Sequence, residues 1–298
     1  MKGSLLWGSA KDFGTHAVNY LHKCQKSYGD VFTLRLVNQY LTVLMNPNDY
    51  EEFTREKNFD FDKIQKQVNW NVFNFVIRDP VKMIAATVRT HRGASMNRGI
   101  DHYTENMEYA FKNVSAAAVT DSDGWAQQPL KDFCARTVFN AVFNTIFGRS
   151  DGENFNSYMA YKNFDIFHKY FNYFWLGVPK KLFPSAMRSL VELANQPSSH
   201  DMMARPDSSD YIKTATKIMH EENQSESDIV GHNLVYLHVN YNTLRLSFWI
   251  MNNIIYNSEA MKDLKEEIDD LIDGHTEEDG TASFEMSDIE NLPVLGKH

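Results

Sequence analysis

Apolar and polar positions follow two rhythms along this chain, and the switch between them comes early. Residues 15–28, THAVNYLHKCQKSY, set a Thr of the capping type before an amphipathic run, and Gly29 supplies a stop, so a first helix is predicted. In DVFTLRLVNQYLTVLMNP the period falls to two. Phe32, Leu34 and Leu36 alternate with other residues, and Leu41, Val43 and Met45 repeat the pattern after NQ, which predicts a β-hairpin. Pro47 opens a short helix in NDYEEFTREKNFDF. Residues 63–95 keep aromatics such as Trp70, Phe73 and Phe75 without a clear period and read as an ordered, irregular loop. Helical periodicity then dominates, over 97–117, 129–147, 153–176, 185–196, 208–223, 226–257 and 258–273, with breaks such as TDSDG, GRSDGEN, GVP and RPDSS. The predicted fold class is mainly α with a small β-hairpin. No internal repeat or long linker divides the chain, so one domain over 1–298 is expected.

Composition narrows the function classes. With 298 residues, 43% of them hydrophobic, the chain can bury a large core. A formal charge of −9 and no basic cluster argue against a nucleic-acid partner, because affinity for phosphate backbones comes mainly from Lys and Arg. Cys24 and Cys134 lie far apart and in no metal-ligand spacing, which points to a reducing or cytosol-facing setting. The eleven histidines contain no HExxH and no paired zinc spacing, and there is no GxSxG elbow or phosphate-cradling glycine loop.

Three further motifs are set aside. A calcium loop starting at Asp269 fails, since Leu271 and Gly280 occupy its third and twelfth positions. The segment MKDLKEEIDDLIDGHTEEDG instead reads as a solvated helix with Met261, Leu264, Ile268, Leu271 and Ile272 on one face, followed by a loop. The sequons NVS (113–115) and NQS (223–225) would stay unmodified in a cytosol-facing protein. No window reaches the ~18–20 apolar residues of a spanning helix, and the first residues are too weakly apolar for a signal peptide, so the chain reads as soluble.

One helix poses a question. LVYLHVNYNTLRLSFWIM (234–251) is apolar except for a centre that carries Asn240, Asn242 and Thr243. Ordinary packing would have these polar groups satisfy one another against neighbouring helices.

The order of elements offers another reading, reinforced by YGDVFTLRLVNQYLTVLMNPNDYEEF (28–53), DFCARTVFNAVFNTIFGR (132–149), YNSEAMKDLKEEIDDLI (256–272) and DIENLPVLGKH (288–298). These strings resemble, collinearly, the first three fifths of a cytochrome P-450. The likeness is to the branch that holds sterol 7α- and 12α-hydroxylases, oxysterol 7α-hydroxylase and prostacyclin synthase. It implies an incomplete cytochrome P-450 fold and a heme iron. It also implies a sterol, oxysterol or other lipid substrate oxidised with dioxygen, and NADPH electrons delivered by cytochrome P-450 reductase. The place it implies is the cytosolic face of the endoplasmic reticulum membrane.

By the same resemblance, Val239, Asn240, Tyr241, Asn242 and Thr243 align with the family's Ala/Gly-Gly-x-Asp/Glu-Thr pattern. Asn242 and Thr243 become the candidate catalytic pair, and His238, Val239, Asn240 and Tyr241 candidate walls of the oxygen and substrate pocket. Asn in place of the acid matches the branch. It does not titrate, so a proton relay would need water, whereas an endoperoxide isomerase would need no relay. His238 and Tyr241 stand where the branch has small residues and Arg245 where it often has Pro. Bulk there would narrow the oxygen site and alter or reduce activity. Arg89, His91 and Arg92 fall just before the helix that, in the family, commonly helps bind heme propionates, which makes them, with Met96, candidate propionate or substrate contacts. The usual Trp-x-x-x-Arg is absent, and a solvated basic turn is the plainer reading.

The aromatic segment 163–183, with Lys180 and Lys181 after Pro179, corresponds to the channel roof that can dip into a membrane, unless it is simple core packing. A heme-thiolate enzyme needs an axial Cys. The family places it in a Gly-rich loop beyond the residues matched here, and Cys24 and Cys134 read as small buried apolar residues, so no metal ligand is expected in this chain. The Glu-x-x-Arg helix, membrane anchor and proline-rich hinge are also missing, which leads us to expect a truncated gene model that exposes core faces, folds poorly and is inactive alone. Two other functions stay open: a prostacyclin-synthase-like isomerase, and a catalytically dead helical protein that binds a lipid or a partner.

Overall fold

The computed structural model describes residues 8–37, 39–56, 60–149, 155–276, 288, 292 and 293. The period-two stretch forms the hairpin of β1 (Val31–Leu36) and β2 (Gln39–Leu44), antiparallel with Phe32 opposite Val43 and Leu34 opposite Leu41. Alternation places Phe32, Leu34 and Leu36 on one buried face, while Thr33 and Thr42 join hydroxyls across the other at 3.0 Å. Helix α1 (Ala10–Tyr28) covers the apolar face and contributes the buried Cys24. It starts ahead of the expected Thr15 and kinks at His16 (φ −143°, ψ 56°), and Thr15 hydrogen-bonds back to the Lys11 carbonyl (2.8 Å) instead of capping.

Pro47–Asp49 makes one 3-10 turn and leads into α2 (Tyr50–Arg55). The expected irregular loop over 63–95 is corrected by the structure: it holds α3 (Phe61–Phe73), α4 (Pro80–Thr90) and the start of α5 (Gly93–Ala116). End signals explain both short helices. Asp60 and Asp79 accept from the amides of Lys63 (3.2 Å) and Lys82 (2.9 Å), Pro80 opens α4, and Asn74 closes α3 in the left-handed region (φ 58°). Their buried faces are narrow, with Val72 and Phe73 on α3 and Met83 and Ala86 on α4, and polar residues between them mask the period.

Among the described residues the remaining elements are α6 (Leu130–Cys134), a π turn (Ala135–Phe139), α7 (Asn140–Phe147), α8 (Ser157–His168), α9 (Phe171–Trp175), a 3-10 turn (Lys180–Leu182), α10 (Pro184–Leu193), α11 (Ser199–Ala204), α12 (Asp210–Glu221), α13 (Glu226–Tyr256) and α14 (Ser258–His275). The helix predicted over 153–176 is thus two helices, and α11 was not predicted. The core they share is aromatic. Phe143 meets Phe147 at 5.0 Å and Phe155 at 5.4 Å between ring centroids, and Phe164 meets Phe167 at 5.7 Å. Among the described residues the result is mainly α with one hairpin, as the periodicity predicts. Among the described residues no helix is long and apolar enough to cross a membrane. Segment 288–298 falls almost entirely outside the described residues.

Candidate functional site

Helix α13 organises the site. A capping box sets its start: Ser225 Oγ accepts from the Asp228 amide (3.2 Å), and Asp228 Oδ2 accepts from the Ser225 amide (3.0 Å). Close behind it, Gly231 lets α13 press against the end of α3. A Cβ at Gly231 would sit 2.6 Å from the Phe73 carbonyl oxygen and 3.0 Å from Phe75 Cβ.

Two faces of α13 then diverge. Leu237, Asn240, Tyr241 and Leu244 are buried against the π turn and the flanking α6, α7 and α8. His232, Val235, Tyr236, Val239, Thr243, Leu246 and Ile250 recur at the three-and-four spacing of a single face. That face is covered at its first turns and open beyond, where Val239 is 49% and Leu246 62% exposed.

The residues grouped by resemblance divide between these faces. Asn240 Nδ2 donates to the Phe139 carbonyl (3.0 Å), at the end of the π turn, where the regular helical ladder is interrupted. Tyr241 packs its ring on Phe164 and His168 and donates its hydroxyl to Asp165 Oδ1 at 2.5 Å. Both residues therefore point into the core, and Tyr241 does not narrow the space above Val239 and Thr243. Burial, and then Asp165, push the Tyr241 hydroxyl upward in pKa. Burial alone would raise Asp165, but hydrogen bonds from Lys131 (2.7 Å) and Tyr241 outweigh it and hold the carboxyl below its ordinary value.

His238 lies between the faces. Its ring stacks on Phe171 at 4.6 Å and on His168 at 5.6 Å, and its Nε2 takes a hydrogen bond from Asn242 Nδ2 at 3.2 Å. Burial first, and then Arg245, lower its pKa to about 4; burial and His238 do the same to His168. Both imidazoles are neutral near pH 7. On the open side, Asn242 is exposed, and the half-buried Thr243 donates its hydroxyl to the Val239 carbonyl (3.1 Å).

A cavity of about 510 Å³ adjoins the covered end of the same face. Trp70, Phe75, Ile77, Met83 and Val235 make its apolar walls, and Tyr211, His232 and Tyr236 its polar side. A second depression, of about 520 Å³, is bordered by Asn195, Asp201 and Arg205 and takes no residue from α13.

Arg89, Arg92 and Met96 are exposed around the α4–α5 junction. His91 is exposed too, with Nδ1 2.8 Å from the Thr87 carbonyl oxygen and its ring 5.5 Å from that of Tyr211, which connects it to the cavity wall. In segment 163–183, Phe164, Phe167 and Phe174 are core, while Leu182 is exposed. Lys180 donates to Asn74 Oδ1 (2.8 Å), and burial lowers its pKa to about 8.

Sequence reasoning missed Tyr211, His232 and Tyr236. A signal was present, because His232, Val235 and Tyr236 extend the Val239 face backward by helical steps. The wall opposite it is hidden in the sequence, because the narrow apolar faces of α3 and α4 mask their helical period.

The model of the family described as Cytochrome P450 matches residues 1–230. Similar curated proteins include "Cholesterol 7-alpha-monooxygenase" of Cricetulus griseus, 23% identical over 97% of this chain and 60% of that protein. "Cytochrome P450 7B1" of Mus musculus is 22% identical over 97% and 58%. "5-beta-cholestane-3-alpha,7-alpha-diol 12-alpha-hydroxylase" of Sus scrofa is 23% identical over 99% and 61%. The chain thus spans about three fifths of the length of these relatives. With most of its length inside the family match, the chain belongs to the cytochrome P450 family.

Proposed function

We propose that the chain is part of a one-domain sterol monooxygenase that oxidises a sterol, an oxysterol or a related lipid. Electrons come from NADPH through cytochrome P-450 reductase, at the cytosolic surface of the endoplasmic reticulum membrane. The observation that carries this reading is the continuity of one α13 face, from the 510 Å³ cavity to the open strip of Val239, Thr243, Leu246 and Ile250. The volume lies within the range of small-molecule sites, and the mostly apolar lining favours a lipid over a polar metabolite. The printed names of the relatives, sterol 7α- and 12α-hydroxylating enzymes, support the substrate class.

Family membership implies a heme iron, which when bound supplies the oxygen activation. The residues of this chain suit one wall of that group, since the open strip of α13 presents an apolar surface long enough for a flat macrocycle. They do not suit its iron ligand. Cys24 is buried under the hairpin; Cys134 is fully buried, 3.7 Å from Met251 Sδ, and burial pushes its thiol up. Among the described residues no group of three metal-ligating side chains occurs. On this reading neither cysteine of this chain supplies the axial thiolate, and oxygenase activity needs a thiolate from elsewhere in the working enzyme.

Its own residues have narrower tasks. Asn242, tied to the neutral His238, offers an amide that orients water at the strip without titrating. Thr243 can accept a further hydrogen bond while donating to its own helix. Protons delivered there pass through water, since both nearby imidazoles are neutral.

The test uses the native gene product with reductase. A thiolate signature in the reduced carbon monoxide difference spectrum, with NADPH-dependent insertion of one oxygen into cholesterol or an oxysterol, supports the proposal. Conversion of an endoperoxide without NADPH would replace it with the isomerase reading. Sterol binding without heme would replace it with a binding role.

A further inference from the structure

We propose that Tyr211, His232 and Tyr236, with Thr87, form a subsite for the uncharged oxygen end of an otherwise apolar ligand, an alcohol or a ketone, and disfavour an anionic end. The inference rests on the 510 Å³ cavity being the ligand site and adds which end of the ligand it reads.

Three elements meet to build this subsite. Thr87 comes from α4, Tyr211 from the first turn of α12, and His232 and Tyr236 from one face of α13. All four border the cavity. The Tyr211 and Tyr236 rings lie 4.8 Å apart, the His232 and Tyr236 rings 5.2 Å apart, and Tyr211 Oη is 3.4 Å from His232 Nε2. The Tyr211 hydroxyl also interacts with those of Tyr236 and Thr87. The remaining lining includes Trp70, Phe75, Ile77 and Met83, so the oxygens and imidazole form one polar spot on an apolar surface.

The spot carries no charge. Burial lowers His232 to about 4 and moves Tyr211 and Tyr236 upward, so near pH 7 the imidazole is neutral and both phenols keep their protons. A hydroxyl or carbonyl oxygen can exchange hydrogen bonds with such groups. A carboxylate or sulfate would be desolvated there without a counter-cation. The charged lining residues, Asp62 and Lys66, are exposed on α3, at the rim. Tyr236 stands seven residues before Thr243, so the anchored end sits about 10 Å from Thr243 along the axis, at ~1.5 Å per residue.

The test measures binding to the native gene product by equilibrium dialysis with cyclodextrin-carried probes, so its readout is bound ligand and not turnover. The probes are 5α-cholestan-3β-ol, 5α-cholestane and cholestanol 3-sulfate. The alcohol is expected to bind about tenfold tighter than the hydrocarbon and the sulfate. Tyr236→Phe, which keeps the ring, should cut the preference over the hydrocarbon to about twofold and leave hydrocarbon binding unchanged. Equal binding of alcohol and hydrocarbon, or sulfate binding as tight as the alcohol, would overturn the subsite while leaving a steroid cavity in place. Binding of none of the three would overturn the lipid reading itself, and the subsite with it. Circular dichroism of Y236F guards against misfolding, and the wild-type series decides the matter without any variant.

Discussion

The two sides of α13 differ in what their polar residues are doing. On the packed side each polar side chain has a fixed partner: Asn240 holds the carbonyl at the end of the π turn, and Tyr241 holds Asp165. On the open side Asn242 and Thr243 bond only within their own helix, among apolar residues with no cover in the described structure. Five adjacent residues, VNYNT, therefore serve two purposes. Asn240 and Tyr241 join the helix to the core, and Val239, Asn242 and Thr243 present a surface.

The contrast can be broken by substitution. Leu237→Ala, at a fully buried site, is expected to cost about 3 kcal/mol in urea denaturation, and Leu246→Ala on the open strip no more than about 0.5 kcal/mol. Similar losses at the two positions would erase the distinction. Gly231→Ala forces α13 off the end of α3 and should cost about 2 kcal/mol while opening the cavity. An unchanged unfolding midpoint would show that the close approach is not needed. Tyr241→Phe removes the hydroxyl from Asp165 and should cost about 1–2 kcal/mol. If the cost is near zero, Lys131 alone satisfies that carboxylate.

Acid offers a subtler probe. His168, His232 and His238 fall from 6.5 to about 4 in the folded chain, so the unfolded chain takes up protons first. Their stabilising effect is complete above about pH 6.5 and is lost as pH falls toward 4. The urea midpoint should decline between pH 7 and 5, and His168→Gln combined with His238→Gln should flatten that slope. A midpoint that rises on acidification would contradict the buried, neutral assignment. The smallest effects belong to Asn242→Ala and Thr243→Val, expected within about 0.5 kcal/mol of the parent.

Periodicity revealed the hairpin and the long helices because each has one wide apolar face. It failed at α3 and α4, where only a few buried positions lie among Asn, Gln and Thr, although Asp60, Asp79 and Pro80 were readable start signals. The alignment to a family pattern groups Val239, Asn242 and Thr243, which lie on the open side, with Asn240 and Tyr241 as one surface. Successive positions on a helix are ~100° apart, so five in a row go right round the helix and could not all share a face. Asn240 and Tyr241 belong to the other side, and the partners that prove it, Phe139 and Asp165, are distant in sequence. The polar spot of Tyr211, His232 and Tyr236 depends on α12 meeting α13 across α4, which no local pattern encodes.

The most direct test introduces Asn242→Ala and Thr243→Val into the native gene product and measures NADPH-dependent sterol oxidation beside the urea midpoint. A functional open face predicts that turnover falls at least about tenfold while the midpoint stays put. Unchanged turnover, or a midpoint that falls together with turnover, would contradict it.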